Sequence, residues 1–199
     1  IKEKLLSKTV PTGTCAGTVK TAVAGDLGLS GETIIVSVSH DQVAAAIGSR
    51  VFGDAAAVDG AGTVECITPV FTGIPKNDVL YQGSYAIVPY VFPGKYLCYA
   101  FSFTGGALVK WYIDNLAKYE KTLADREKSS VYEVLESNMQ DGPTGILVLP
   151  HFAGAATPYM DSGSKGAITG LTAAHNVSDL YRAMLEGVVY EMRLNMEEL

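Results

Sequence analysis

The chain has 199 residues, 48% of them hydrophobic and 18% charged, which leaves room for one ordinary domain or parts of two around a sizeable core and excludes a disordered tail. Its formal net charge of −6, with no face dense in Lys and Arg, argues against nucleic acid as a partner, because binding without sequence preference depends on neutralising phosphates with basic side chains. An anionic ligand stays open, since backbone N–H groups and a metal ion can hold phosphate without a basic surface.

Cys15, Cys66 and Cys98 are dispersed, with no CxxC and no Cys/His cluster. That pattern argues against zinc and fits a reducing compartment. Lys2, Glu3 and Lys4 open the chain without the apolar core of a signal peptide. No apolar run approaches the roughly 20 residues that a membrane helix needs. The expectation is a cytoplasmic protein with no membrane partner.

In chain order, the loop Gly13–Gly17 precedes a helix over Val19–Leu27, with Gly28 at its C′ position. Thr33–Val38 is a β-branched run of the kind found in buried parallel strands. It ends at Ser39-His40-Asp41-Gln42, just before the start of a helix at Val43–Ile47. Polar residues in that place lie at the carboxyl end of a strand, where open α/β sheets bind ligands. Asp41 suits a general base that takes a proton from a hydroxyl, and Gln42 can both donate to and accept from a polyol. Taken alone, Asp41 is equally a helix N-cap.

Short strands follow at Ala55–Val58, Val64–Val70, Tyr85–Val91 and Tyr96–Phe101. Between the first two, Asp59-Gly60-Ala61-Gly62-Thr63 reads either as a hairpin turn or as a glycine turn whose amides approach phosphate. Gly105-Gly106 opens a helix carrying Leu108, Trp111, Tyr112 and Leu116. A glycine pair there can admit a nucleotide against the backbone, and Trp111 itself reads as a core anchor. Residues Lys118–Ser130 are charge-rich and read as a solvated helix end or loop. Gly145–Leu149 is an apolar strand, and a glycine-rich loop runs from Pro150 to Gly170. Ser162-Gly163-Ser164-Lys165-Gly166 is superficially similar to a P-loop but lacks its spacing. Ser178 to Leu199 reads as a helix, N-capped by Ser178, with an apolar stripe of Tyr181, Leu185, Val188, Met192, Met196 and Leu199. That helix stops without a C-cap and residue 1 is not Met, so both ends read as cuts.

These pieces occur in a recognisable order. Gly166-x-Ile168-x-Gly170-Leu171 is followed by Asp179-Leu180 and Ala183-Met184-Leu185-Glu186. Earlier come a strand ending in Asp41-Gln42, the Gly62-Thr63 turn, Gly105-Gly106 before Trp111, and Leu149-Pro150 leading to Gly154 and Pro158. Over essentially its whole length the chain resembles the FGGY family of carbohydrate kinases, a group that includes xylulokinase, ribulokinase, gluconokinase and glycerol kinase.

The resemblance implies an α/β, actin-like ATPase fold of the ribonuclease-H-like type, incomplete here. Residues 1–50 would be the end of the family's N-terminal domain, and 51–199 part of its C-terminal domain. It implies ATP-dependent phosphorylation of a sugar or polyol hydroxyl, with Asp41 as catalytic base and Gln42 on the substrate. Gly62, Thr63, Gly106 and Lys110 would line the ATP site, with no metal-ligating residue assigned. ATP and Mg²⁺ are the implied cofactors, a sugar or polyol the substrate, and a homodimer is allowed. The family often carries Glu-Arg where this chain has Ala155-Ala156, which puts a polar role for that loop in doubt. Without the remainder of the family's site, the 199 residues alone are expected to show no turnover. Two other readings stand beside this one: an inactive FGGY-like module that binds a sugar or nucleotide, and an actin-like assembly protein.

Overall fold

The computed structural model describes residues 5–54, 56–76 and 78–199. Ala55, at the head of one expected strand, lies outside them. The first elements are β1 (Cys15–Thr18), α1 (Thr21–Leu27) and β2 (Ile34–Val36). α1 ends as expected on Gly28, whose φ of 65° supplies the left-handed cap. β2 does not take the buried parallel role expected of it. It pairs antiparallel with β1 in a two-stranded sheet, and Ile34, Ile35 and Val36 are all exposed. A β-branched run favours an extended backbone but does not decide what covers it.

The body is organised by a four-stranded antiparallel sheet in the order β3 (Ala57–Asp59), β4 (Glu65–Thr72), β6 (Lys95–Ser102), β5 (Ala86–Pro89), with the short helix α3 (Asp78–Gln82) between β4 and β5 in the chain. Side chains alternate between the faces of a strand, and on β6 that alternation separates two cores. Cys98 and Ala100, with Ile67 of β4, join the larger core, which holds Leu108 and Tyr112 from α4 (Gly106–Asn115) and Tyr181, Met184 and Val188 from α7 (Val177–Glu198). Leu97, with Val70 of β4, faces the other way and packs on Val43 and Ala46 of α2 (Asp41–Gly48). The sheet is thus covered by α4 and α7 on one face and by α2 on the other. α2 lies on the early side of the boundary expected at residue 50, yet its buried residues belong to the core of the body.

Charge-rich residues 118–127 form a mostly exposed helix, α5 (Lys118–Glu127), and α6 (Val131–Glu136) follows with a capping box between Ser130 and Glu133. The expected strand near 145–149 is β7 (Leu147–Leu149), paired antiparallel with β8 (Ala167–Thr169).

Two details of the helices differ from the sequence reading. α7 is capped by Asn176, not Ser178: the Asn176 side chain accepts from the Asp179 amide at 3.0 Å, and Asp179 Oδ2 accepts from the Asn176 amide at 2.9 Å. Its buried face adds Ala183, Met184, Gly187, Glu191 and Asn195 to Tyr181, Val188 and Met192, whereas Met196 is 61% exposed. The apolar repeat missed these members because several are small or polar. Trp111 is not a core anchor; it is partly exposed, with its ring 4.8 Å from that of Phe152. Tyr112 beside it is fully buried and donates its hydroxyl to the Val177 carbonyl at 2.6 Å.

Candidate active site

Asp41 is the first residue of α2 and not its cap; the cap is His40. The Asp41 side chain is 85% exposed, so the fold does not need it for packing. Its Oδ1 accepts from the Gln42 amide at 2.7 Å and lies 3.0 Å from His40 Nδ1. His40 in turn sits edge-on against Tyr99 of β6, with ring centroids 5.5 Å apart and the Tyr99 hydroxyl 3.4 Å from Nδ1. Burial raises the Tyr99 phenol above its usual pKa, and the negative charges of Cys66 and Asp41 add to the rise.

Gln42 points from α2 toward the β3–β4 turn. Its carboxamide packs against Gly60, with Oε1 3.0 Å from where a Cβ would stand. That oxygen is buried and has no hydrogen-bond partner. Buried acceptors are normally satisfied, so Gln42 Oε1 is a buried acceptor without a donor among the described residues, packed against the β3–β4 turn.

The turn itself is tied to the start of α4. The Gly106 amide donates to the Gly62 carbonyl at 2.8 Å, and the amides of Gly105 and Ala107 donate to the Thr63 carbonyl at 3.3 and 3.0 Å. A Cβ on Gly106 would stand 2.8 Å from the Gly62 oxygen, so this close approach requires glycine. The α4 amides are therefore occupied, and a ligand would not find them open. Among the described residues the Ala61 and Thr63 amides have no acceptor, and they are the donors the turn offers.

Gly62, Gly105 and Gly106 line a cavity of about 290 Å³ with Ala61, Glu65 and the α7 residues Val188 and Val189. Lys110 does not line it. Its ammonium meets Asp114 one turn along α4 at 2.5 Å, and hydrogen bonds from Lys110 and then Lys121 hold the Asp114 carboxyl down at about 2. Glu65, in the cavity wall, was not singled out in the sequence. Burial pushes its carboxyl up to about 7, helped by the charge of Asp59 and by a hydrogen bond with it. The only hint in the sequence was an acidic residue at the head of the apolar run of β4.

A second polar cluster also escaped sequence reading. His151 Nε2 lies 3.1 Å from Glu191 Oε1, Ser102 donates to Glu191 Oε2 at 3.0 Å, and His151 Nδ1 lies 2.8 Å from Ser164 Oγ. His151 and Glu191 are both buried. The cluster pins the 150–165 loop between β6 and α7. In the same loop Ala155 and Ala156 are fully buried, so the place where the family often carries Glu-Arg is here an apolar contact.

The arrangement as a whole is a sheet between helices with a glycine cavity at one end, and solved carbohydrate kinases share this fold. Among solved structures, ligand-bound xylulose kinase from Lactobacillus acidophilus superimposes with a TM-score of 0.80 at 21% identity, over 100% of this chain and 38% of that one. Plasmodium falciparum glycerol kinase with ADP gives 0.67 at 21%, over 94% and 35%. Residues 73–199 match the C-terminal domain of the FGGY family of carbohydrate kinases. A glycerol kinase from Shewanella sediminis is 30% identical over 198 residues, covering 97% of this chain and 36% of the relative. A xylulose kinase from Staphylococcus epidermidis is 24% identical, covering 88% and 34%. The chain belongs to the FGGY family of carbohydrate kinases, and it spans about a third of the length of these relatives. Among the described residues no helix is long and apolar enough to cross a membrane.

Proposed function

We propose that the chain serves the ATP-dependent phosphorylation of a sugar or polyol hydroxyl, with Asp41 as general base. The observation that carries this reading is the juxtaposition at the β3–β4 turn. An exposed carboxylate with no packing role opens α2, and the next residue, Gln42, lays a buried, unpartnered amide oxygen against Gly60 of the turn that leads into the glycine cavity. Phosphoryl transfer rests mainly on positioning and charge stabilisation, with a base orienting the acceptor hydroxyl. Asp41 would take the hydroxyl proton as that oxygen attacks the γ-phosphorus, and ADP would leave. Gln42, the next residue on α2, would contact the acceptor through its carboxamide. The Ala61 and Thr63 amides, with Gly62 and Gly106 leaving room for them, would steady phosphate oxygens.

Among the described residues no group of three or more His, Cys, Asp or Glu could hold a metal ion. The members of the family found by similarity carry both glycerol and xylulose kinase names, so the acceptor's identity is left at the level of a polyol or ketose.

The test is Asp41→Asn in the polypeptide that carries this chain, assayed for sugar-dependent ADP release. Loss of a positioned base lowers the rate by about 10²- to 10⁴-fold, with the melting temperature unchanged because the side chain is solvent-facing. A variant that keeps the parent rate overturns the assignment. The occupied α4 amides favour a second reading, a module that binds sugar or nucleotide without transfer. Under that reading Asp41→Asn would leave ligand-induced thermal stabilisation intact and no rate would be found in either protein.

A further inference from the structure

We infer that Ser164, His151 and Glu191 form a second reactive site, in which Ser164 is the nucleophile toward small, uncharged carboxylic esters. None of the three lines the glycine cavity, and the inference does not rest on the reading of Asp41. His151 Nδ1 lies 2.8 Å from Ser164 Oγ, and His151 Nε2 lies 3.1 Å from Glu191 Oε1. Glu191 is itself held, because Ser102 donates to its Oε2 at 3.0 Å. A hydroxyl bonded to a base, with that base bonded in turn to a buried group that orients it, is the arrangement that activates a serine.

The direction of each bond follows from what the groups can donate. A carboxylate only accepts, so His151 Nε2 carries the hydrogen that Glu191 Oε1 receives. Nδ1 then offers its lone pair, and the Ser164 hydroxyl donates to it. His151 and Glu191 are buried, whereas Ser164 is only partly so. Ser164 and His151 both line a cavity of about 490 Å³ with Leu149, Ala155, Tyr159 and Asp161. Tyr159 also packs against the imidazole, with ring centroids 5.9 Å apart. The cavity has room for a small molecule. Its walls are apolar apart from the two reactive side chains, Asp161 and the Tyr159 hydroxyl, and the Asp161 carboxylate disfavours an anionic acyl group. The Lys165 amide, next to the nucleophile in the chain, has no acceptor among the described residues and is the donor at hand for a carbonyl oxygen that gains charge.

In the first step Ser164 Oγ bonds to the ester carbonyl carbon, and the hydroxyl proton passes to His151 Nδ1. The bond from that carbon to the alcohol oxygen breaks, and the leaving oxygen takes the proton from Nδ1. Water then attacks the acyl-serine and gives one proton to Nδ1. The bond to Ser164 Oγ breaks, Oγ takes that proton back, and the acid leaves. Ester and water thus become acid and alcohol, with no other reactant. Glu191 touches no reacting atom; it is a positioning residue that orients the imidazole and steadies its charged form.

The test treats the polypeptide that carries this chain with p-nitrophenyl acetate and, separately, with a fluorophosphonate label for activated serines. Hydrolysis of the ester and a label mapped to Ser164 by mass spectrometry are the expected results. Ser164→Ala should lose the label at that position, and its hydrolysis should fall by about 10²-fold or more, the worth of an activated nucleophile and its base. Ser162→Ala, two residues away, should keep both. His151→Gln keeps a donor for Glu191 but removes the base, so labelling of Ser164 should slow by about 10²-fold with the melting transition still cooperative. A contact that only pins the loop would leave Ser164 unlabelled in the parent, and that result overturns the inference. So does labelling of Ser164 that is as fast in folded His151→Gln as in the parent. Should His151→Gln fail to fold, Ser164→Ala decides, because it removes only a partly exposed hydroxyl: hydrolysis at the parent rate in that variant overturns the inference, and its loss supports it.

Discussion

Strands β2 and β6 invite comparison, because both are apolar and rich in residues that favour strands. Leu97, Cys98 and Ala100 of β6 are inaccessible to solvent, and the strand is paired on both sides in the centre of the body. In β2, Ile34, Ile35 and Val36 stay exposed, and among the described residues the only strand beside it is β1. Across residues 5–38, Ala24 is the one buried side chain among the described residues. Apolar sequence is thus a statement about what a segment could bury, while burial is decided by whether another layer arrives. Stability should follow the same division, with substitutions in the body costing much and substitutions in the 5–38 limb costing little.

The sharpest way to load that comparison is Gly187 of α7. A Cβ there would stand 2.6 Å from the Val148 carbonyl and 2.9 Å from the Val148 Cβ, so the glycine is what lets α7 close on β7. Gly187→Val should destabilise by about 3 kcal/mol through overpacking. In a domain of this size that is a fall of roughly 6–12 °C in melting temperature. A smaller effect follows from His151→Ala, which leaves the buried Glu191 with Ser102 as its side-chain donor. An under-satisfied buried acceptor costs about 1–3 kcal/mol. Chemical denaturation of both variants would measure the difference, and a near-zero cost for either would break the claim that the body carries the stability.

Glu65 gives a pH-dependent test within the body. Its carboxyl is raised from 4.5 to about 7 in the folded chain, chiefly by burial. The folded state therefore holds this proton more tightly than the unfolded state does. The stabilisation is fully present below about pH 4.5 and is lost as pH rises through about 7. The parent should melt a few degrees lower at pH 8 than at pH 5.5 on account of this group, and Glu65→Gln should narrow the gap. An equal gap in both proteins would remove Glu65 from the account.

Much of the body was legible in the sequence because short-range chemistry decides it. The four strands between residues 55 and 103 appear close to their expected bounds, since turn residues at Gly60, Gly73 and Gly94 punctuate them. Gly62 and Gly106 were read as backbone approaches to phosphate and nucleotide, and the structure joins the two to each other by one hydrogen bond. What was not legible depends on contacts between distant segments. Glu65 meets Asp59 only because β3 and β4 pair, and Tyr99 meets His40 only because α2 lands on that face of β6. The link between His151 and Glu191 spans 40 residues, and no local pattern announces it. Lys110 shows the converse: its place in the sequence suggests the cavity, but Asp114 one turn away is the nearer partner.

The smallest expected effect lies in the limb. Ile35 is 48% exposed and faces no layer of the described chain, so Ile35→Ser should change stability by about 0.5 kcal/mol or less. A two-stranded sheet of this kind is marginal by itself, which makes the limb the first segment expected to exchange its amide hydrogens or to be clipped by protease. The measurement that matters is the melting temperature as a function of protein concentration. Burial against a second copy would make that temperature rise with concentration, and Ile35→Ser would then cost far more than 0.5 kcal/mol and flatten the rise. Together those two results would show that β2 has a covering layer after all, supplied by a partner and not by its own chain. A concentration-independent melt with a negligible cost would leave β2 as it stands here, an apolar strand whose sequence favours burial that the described residues do not provide.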